Sequence, residues 1–495
     1  MPDQLPTESD LNSLVVETRH FINGRYEPSV DAAVFQRKRP MDGQPGPTIS
    51  RGSTHDINAA VCAARAVFES GEWRDSDPAE RKVVMLRFAA LIRENAAELA
   101  LLETLDTGRP IAAALSVDVA SAANSIAWYG EVADKQYDEI APSGPEDVAM
   151  IRRMALGVVG VITPWNYPLI ISAWKLGPAL AMGNSVVHKP AEQSSLSALR
   201  LASLGKEAGL PDGVFNVVAG FGEEAGDALA SHKDVDLIAF TGSTDVGQLI
   251  MVKAAKSNLK RVALELGGKS PMIVFDDADL DKAATAAAWG FAYHAGQTCH
   301  APTRLICHAS KVEDLCERIR KVLESIPTGI PFDSNAQVGA VIDDVQLSRI
   351  LGFVERAQAD GGNLLFGGQR ILEETGGYYL SPGVVVTNNK SEIAQDEVFG
   401  PILAVIPFDT EDEALAMAND SRYGLAAAVF TENMSRANRM SSGIRAGTVW
   451  INTYDKANMT TPFGGFKQSG FGRDRSVHAL DKYADLKTVW QNFGG

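Results

Sequence analysis

From Gly157 onward the chain carries short β-branched and apolar runs, Val158-Val-Gly-Val-Ile162, Ser185-Val-Val-His188, Val214-Phe-Asn-Val-Val218 and Leu237-Ile-Ala-Phe240. Helix-like segments separate them, among them 194–208 and 223–232. Strands spaced in this way predict βαβ units and a parallel sheet, which places the chain in the α/β class. The pattern recurs at Pro271–Phe275, Arg304–Cys307 and Ile402–Pro407, so a second α/β domain follows the first, with Gly267-Gly268 marking the boundary. Ahead of the first strands, 56–71 and 78–106 show apolar residues at helical spacing, the latter opening with Pro78, and read as helices packed on a core.

With 495 residues, 45% hydrophobic and 22% charged, the chain can bury two or three sizeable cores. Its net charge of −16 argues against a broad electropositive face for nucleic acid. The four cysteines, Cys62, Cys299, Cys307 and Cys316, lack C-x-x-C or zinc spacing, so a reducing compartment and no metal are expected. The polar, acidic N-terminus lacks a basic-then-apolar layout, and no run reaches the ~18 apolar residues of a membrane span. The expectation is a cytoplasmic protein with no membrane partner.

Ligands of a parallel α/β sheet sit beyond the carboxyl ends of its strands, and three segments fall there. Thr163-Pro-Trp-Asn-Tyr-Pro168 is a loop stiffened by two prolines that presents the Asn166 amide, a donor suited to a developing oxyanion. His188-Lys-Pro-Ala-Glu192 offers Lys189 and Glu192 to ribose hydroxyls, the acidic residue favouring a free 2′-OH. Phe240-Thr-Gly-Ser-Thr-Asp-Val-Gly247 runs from a strand into a helix whose first N–H groups, with Ser243, suit a pyrophosphate. In the second half, Cys299 lies in Gly296-Gln-Thr-Cys299 and Glu265 in Glu265-Leu-Gly-Gly268. A cysteine is otherwise a small buried hydrophobe; as a nucleophile it needs a base or field to form the thiolate, and Glu265 is a candidate base.

Together these motifs resemble the NAD(P)-dependent aldehyde dehydrogenases. The resemblance runs from Phe21-Ile-Asn-Gly24 to Leu486-Lys-Thr-Val489, and includes Glu397-Val-Phe-Gly-Pro401 and Pro462-Phe-Gly-Gly-Phe-Lys467 in the family's order and intervals. It implies that Cys299 attacks an aldehyde to give a thiohemiacetal whose oxyanion is held by Asn166 and the Cys299 N–H. Hydride loss to NAD forms a thioester, and Glu265 activates the water that hydrolyses it. Lys175 and Asp474 match positions of a proton path behind Glu265. NAD is expected to contact Thr163, Pro164, Trp165, Lys189, Ala191, Glu192 and Gly222, then Phe240, Gly242, Ser243 and Leu266, with Gln346, Glu397 and Phe399 at the nicotinamide side. Glu192 favours NAD over NADP.

The resemblance also implies two doubly wound domains and a β-flap for a homodimer or homotetramer. The NAD-binding domain takes 1–132 and 156–267, the catalytic domain 268–470, the flap 133–155 and 483–495, and 471–482 connects them. Substrate contacts are expected from Tyr167, Trp174, Tyr293, Thr298, His300, Lys456, Asn458 and Phe463. The segment from Asp455 to Gly470 is similar to the bacterial branch acting on ω-amino and guanidino aldehydes, which carries Gly-Asp-Met-Thr where this chain has Ala457-Asn-Met-Thr460. His294 and His300 stand where many relatives have Asn and a small residue. Losing the carboxylate and adding Lys456 leaves aromatic, neutral aliphatic and acidic aldehydes open. A CoA-acylating enzyme and a non-catalytic homologue are the remoter alternatives; Glu265 favours hydrolysis over the first, and the presence of Cys299, Glu265 and Asn166 speaks against the second.

Overall fold

Val158 and Ile162 pack on one side of their strand and Val159 and Val161 on the other, as the alternation of side chains along a strand requires. Both sets are buried, which is why the run is apolar throughout and why elements pack on both faces of the sheet. In the computed structural model, which describes residues 5–494, this sheet has eight strands. Its parallel centre runs Phe215–Val217, Ser185–Lys189, Val158–Ile162, Leu237–Thr241 and Arg261–Glu265 in spatial order. Antiparallel strands close its flanks, His20–Ile22 on one side and Gly470–Phe471 on the other, the latter pairing with Leu264 and Glu265.

The second sheet has seven strands with its own core. Gly383–Val386, Ile402–Phe408, Arg304–His308, Pro271–Val274, Ala426–Phe430 and Thr448–Ile451 are parallel in that order, and only Asn363–Phe366 is antiparallel. A third, antiparallel sheet places Asp147–Ala155 between Glu139–Ala141 and Ala484–Asn492, and the last pairs with it from Ala484↔Ala155 to Asn492↔Asp147.

The helix expected over 78–106 is two helices, Pro78–Glu94 and Ala96–Thr107, broken at Asn95. The Asn95 amide donates to the Leu91 carbonyl at 2.8 Å, the local competition with the backbone that makes Asn a helix breaker. The helical segment 223–232 begins with a wider π-type turn at Gly222–Gly226. Ile111–Ala133, 23 residues long with an apolar stretch of mean hydropathy 1.3, meets the length and composition of a membrane span, although polar residues interrupt its apolar run in the sequence. Half of its apolar window is buried within the protein, where it packs on Pro78–Glu94 and Pro168–Ala181.

That long helix carries Asp118 in its π-type turn, 2.7 Å from Arg109 Nε, and both side chains are almost wholly buried. Removing one partner of such a pair strands the other charge. Arg109→Leu is therefore expected to lower unfolding free energy by about 3–5 kcal/mol, read from the urea midpoint, and Arg109→Leu/Asp118→Leu to recover most of it.

Candidate active site

Asn166 lies in the loop between the strand Val158–Ile162 and the helix Pro168–Ala181, which begins with a proline at its first position. Its amide Nδ2 donates to the Gln297 carbonyl at 2.7 Å, which spends one of its two N–H groups. In return His294 Nε2 donates to the Asn166 carbonyl at 2.6 Å. Burial holds His294 well below the ordinary imidazole range, so the ring is neutral and this bond selects the tautomer. His294, Ala295 and Gly296 all have positive φ, of 52°, 53° and 69°. Two non-glycine residues in that region hold strain, which the surrounding bonds sustain. At Gly296 a Cβ would lie 2.2 Å from the Gly400 backbone. The wholly buried Gln297 locks the loop further, donating to the His294 carbonyl at 3.1 Å and accepting from the Ile342 N–H at 2.9 Å.

Cys299 follows this loop and is partly exposed. The Gly267-Gly268 break has a second use: a Cβ on Gly268 would lie 2.5 Å from the Cys299 carbonyl, and one on Gly267 2.2 Å from Glu397 Oε2. Both segments approach too closely for a side chain.

Glu265 ends its strand buried, and neither carboxyl oxygen is hydrogen-bonded to any described residue. Burial and the nearby Asp474 charge push its pKa well above the ordinary carboxylate range. Asp474 is its opposite. Burial works to raise its pKa, but Lys175 Nζ at 3.1 Å and Lys482 outweigh this and keep it ionised. Lys482 was not among the expected residues, and nothing in its local spacing marks it. Asp474 is joined by paired backbone bonds of 2.8 and 2.7 Å to Phe463, whose ring lies 5.5 Å from Trp174.

On the first sheet's carboxyl side, Lys189 Nζ lies 3.4 Å from Glu192 Oε2, beside the buried Thr163 and Ala191. Ser243 caps the helix Thr244–Ser257 by accepting from the Val246 N–H, so the hydroxyl already has a local partner. A Cβ at Gly222 would meet nothing within 4 Å, leaving open space at that turn. Phe240 and Leu266 are buried, while Pro164 and Gly242 are partly exposed. From the second sheet, Phe399 meets Trp165 edge-on at 5.2 Å. Glu397 accepts from the Gly268 N–H at 3.0 Å, and burial raises its pKa to about 7. Gln346 donates to the Val398 and Phe399 carbonyls at 3.1 and 2.8 Å, which holds that loop in place. Helix N-terminus, open turn, buried lysine and two aromatic rings together fit a dinucleotide.

The profile of the aldehyde dehydrogenase family matches residues 27–489. The chain belongs to the aldehyde dehydrogenase family. The NADP/NAD-dependent aldehyde dehydrogenase PuuC of Escherichia coli is 48% identical over 97% of this chain and 96% of its own. A gamma-glutamyl-gamma-aminobutyraldehyde dehydrogenase structure from Burkholderia cenocepacia is 47% identical, with TM-score 0.97, over 99% of this chain and all of that one. The P. syringae indole-3-acetaldehyde dehydrogenase AldA, in complex with NAD+ and IAA, is 46% identical with TM-score 0.97 over 98% of this chain and all of its own. The aldehyde dehydrogenase described here is an oxidoreductase with a nicotinamide dinucleotide as hydride acceptor.

Among the substrate candidates, the Tyr167 hydroxyl and Thr298 Oγ1 are 2.7 Å apart, and Tyr293 bonds to Arg109, which also lies over both tyrosine rings at 4.9 Å. Lys456 and Asn458 stand apart from this cluster on an open groove of about 450 Å³ with Asp455, Ala457 and Thr461. The Asn458 side chain is bonded to Thr460, so its side-chain oxygen serves its own turn. As the base expected from the sequence, Glu265 must be ionised, and it is protonated below its raised pKa. The pH profile of kcat under hydrolysis-limited conditions is therefore expected to rise with pH along a limb above the ordinary value of about 4.3. Glu265→Gln is expected to lose about 10²–10⁴ of turnover while keeping a single-turnover burst of NADH.

Proposed function

We propose that this enzyme converts an ω-substituted aldehyde, its distal nitrogen acylated rather than free, to the carboxylic acid with NAD. The observation that carries this reading is the charge of the groove lined by Asp455 and Lys456, which we take as the entrance. Asp455 is held by His300 Nε2 at 2.9 Å, and the exposed Lys456 on the groove's lining has no ion-pair partner among the described residues. A free ammonium at the chain end meets repulsion there; an amide does not, and a distal carboxylate is attracted.

Cys299 attacks the aldehyde carbon, and the free N–H of the Asn166 amide, with the Cys299 N–H, holds the oxyanion. NAD, when bound, accepts the hydride. Glu265 then takes a proton from the water that cleaves the thioester, and Lys175, Asp474 and Lys482 form the polar path behind it. Lys189, Glu192, Ser243 and the helix start it caps hold the dinucleotide, with Trp165, Glu397, Phe399 and Gln346 at its other end. The cofactor role falls to 1–132 and 156–267, catalysis to 268–470, and assembly to 133–155 and 483–495 with 471–482 connecting. The strand Ala484–Asn492 is the edge of its sheet and leaves Leu486 and Trp490 largely exposed, which suits pairing between copies in a homodimer or homotetramer. Four free cysteines agree with a reducing cytoplasm.

One observation favours a second substrate class. Trp174, Phe463, Trp450 and Tyr454 surround the approach to Cys299 with rings, which suits an aromatic aldehyde such as the indole aldehyde of the P. syringae enzyme's name.

Steady-state kcat/KM decides between these. The γ-glutamyl-capped aminobutyraldehyde is expected to exceed the free amine by about tenfold, with NAD preferred to NADP; a free-amine preference overturns the charge argument, and a dominant indole-3-acetaldehyde establishes the aromatic reading. Light scattering is expected to give a dimer or tetramer, and a monomer defeats the flap assignment.

A further inference from the structure

A second acid–base pair stands beside the nucleophile, and the chemistry above does not use it. His300 follows Cys299 directly, and its Nδ1 lies 3.8 Å from Cys299 Sγ. Its other ring nitrogen, Nε2, is 2.9 Å from Asp455 Oδ1. An ionised carboxylate only accepts hydrogen bonds, so Nε2 carries a proton and Nδ1 is left facing the sulfur. It faces it either as a lone pair opposite S–H or as N–H⁺ opposite S⁻. The two states share every heavy-atom position and differ in where one proton sits.

Packing fixes the ring in this attitude. Phe463, Trp450 and Tyr454 lie 5.6, 6.1 and 6.2 Å from it, and the Tyr454 hydroxyl donates to the His300 carbonyl. Glu265, in contrast, takes no hydrogen bond from Cys299 or from any other described residue.

We propose that His300, oriented by Asp455, receives the Cys299 proton, so that the resting nucleophile is a thiolate–imidazolium pair and Glu265 is reserved for the water. The inference rests on Cys299 being the reacting sulfur. In the first step the S–H bond breaks and Nδ1–H forms, with no change of oxidation state. The thiolate pair then forms the S–C bond while the carbonyl π pair moves onto oxygen. On hydrolysis the C–S bond breaks with its electrons on sulfur, and the departing thiolate again faces the imidazolium, while the water's proton goes to Glu265. His300 is the catalytic residue here and Asp455 the positioning residue.

The charges around the pair agree with this division. Burial of the ring disfavours its charge, but Asp455 and the sulfur outweigh that and hold the His300 pKa up at about 10. Beyond Asp455 and Cys299, the ionisable groups nearby are the Tyr454, Tyr293 and Tyr167 hydroxyls, the exposed Lys456 and Arg475. The buried Arg475 lies over the Trp174 and Phe463 rings and acts on Asp455 less strongly than His300 does.

The test is the pH dependence of Cys299 alkylation by iodoacetamide in the enzyme without added cofactor, with the labelled site located by peptide mapping because Cys62 is also exposed. Wild type and Glu265→Gln are expected to react alike and to keep reacting in the acidic range. His300→Asn is expected to react at least about tenfold more slowly there, its profile moving toward a free thiol near about pH 8.5. Asp455→Asn, which keeps the ring and removes the charge at an exposed position, is expected to fall between. Superimposable profiles for wild type and both variants overturn the proposal, as does a shift in Glu265→Gln equal to that of His300→Asn. Cys299→Ser separates the two readings: NADH formation in that variant defeats the role of Cys299 itself, whereas an inert Cys299→Ser with an unshifted His300→Asn profile defeats only the pair.

Discussion

Two hydrogen bonds, from the Asn166 amide to the Gln297 carbonyl and from His294 to the Asn166 carbonyl, join the carboxyl end of one sheet to the loop that carries Cys299 in the other. Each buried bond contributes only about 1 kcal/mol net, but breaking one strands a buried polar group at a larger cost. That asymmetry lets the pair hold His294 and Ala295 in positive φ. It also places Asn166 and Cys299, the proposed oxyanion donor and nucleophile, in one frame, although they come from separate cores. Gln297 extends the frame to Ile342, and the Gly267-Gly268 segment permits the close approach that closes it.

Around that frame the protein arranges buried acids by giving them different partners. Asp474 has two lysines and stays ionised. Glu265 has none bonded to it and is driven toward its neutral form, the condition of a carboxyl that acts near neutral pH. Glu397 is intermediate, relieved by one backbone N–H. Asp455 is exposed and, tied to an imidazole, stays ionised. Of these four carboxyls two thus stay ionised and two are driven toward the neutral form, as burial and the nearest cation dictate.

Much of the architecture was legible because a doubly covered parallel strand must be apolar on both faces. Val158–Ile162, Ser185–Lys189 and Ile402–Phe408 announce themselves in that way. The break at Asn95 was not legible, since one asparagine within a helical pattern is ordinary and only its bond to Leu91 ends the helix. Ile111–Ala133 was passed over because its polar residues interrupt the apolar run; its π-type turn and the Arg109 pair with Asp118 emerge only in three dimensions. Asp455 was not legible because its partner His300 lies 155 residues away, and Lys482 because a lysine eight residues from Asp474 has no helical or strand spacing to it.

By itself, the sequence determined the α/β class, the order of the strands and the ordered motifs that contain Cys299, Glu265 and Asn166, because these depend on local periodicity and on residues that carry their chemistry in their side chains. Only the tertiary structure decided which group each of them meets. Among the described residues it left Glu265 without a hydrogen-bonding partner, turned His300 from a neighbour in sequence into a bridge between Cys299 and Asp455, and placed Lys456 on a groove with Asp455 and Asn458. Protonation state and charge complementarity depend on burial and on distances of a few ångströms between residues far apart along the chain, and no local pattern encodes those distances.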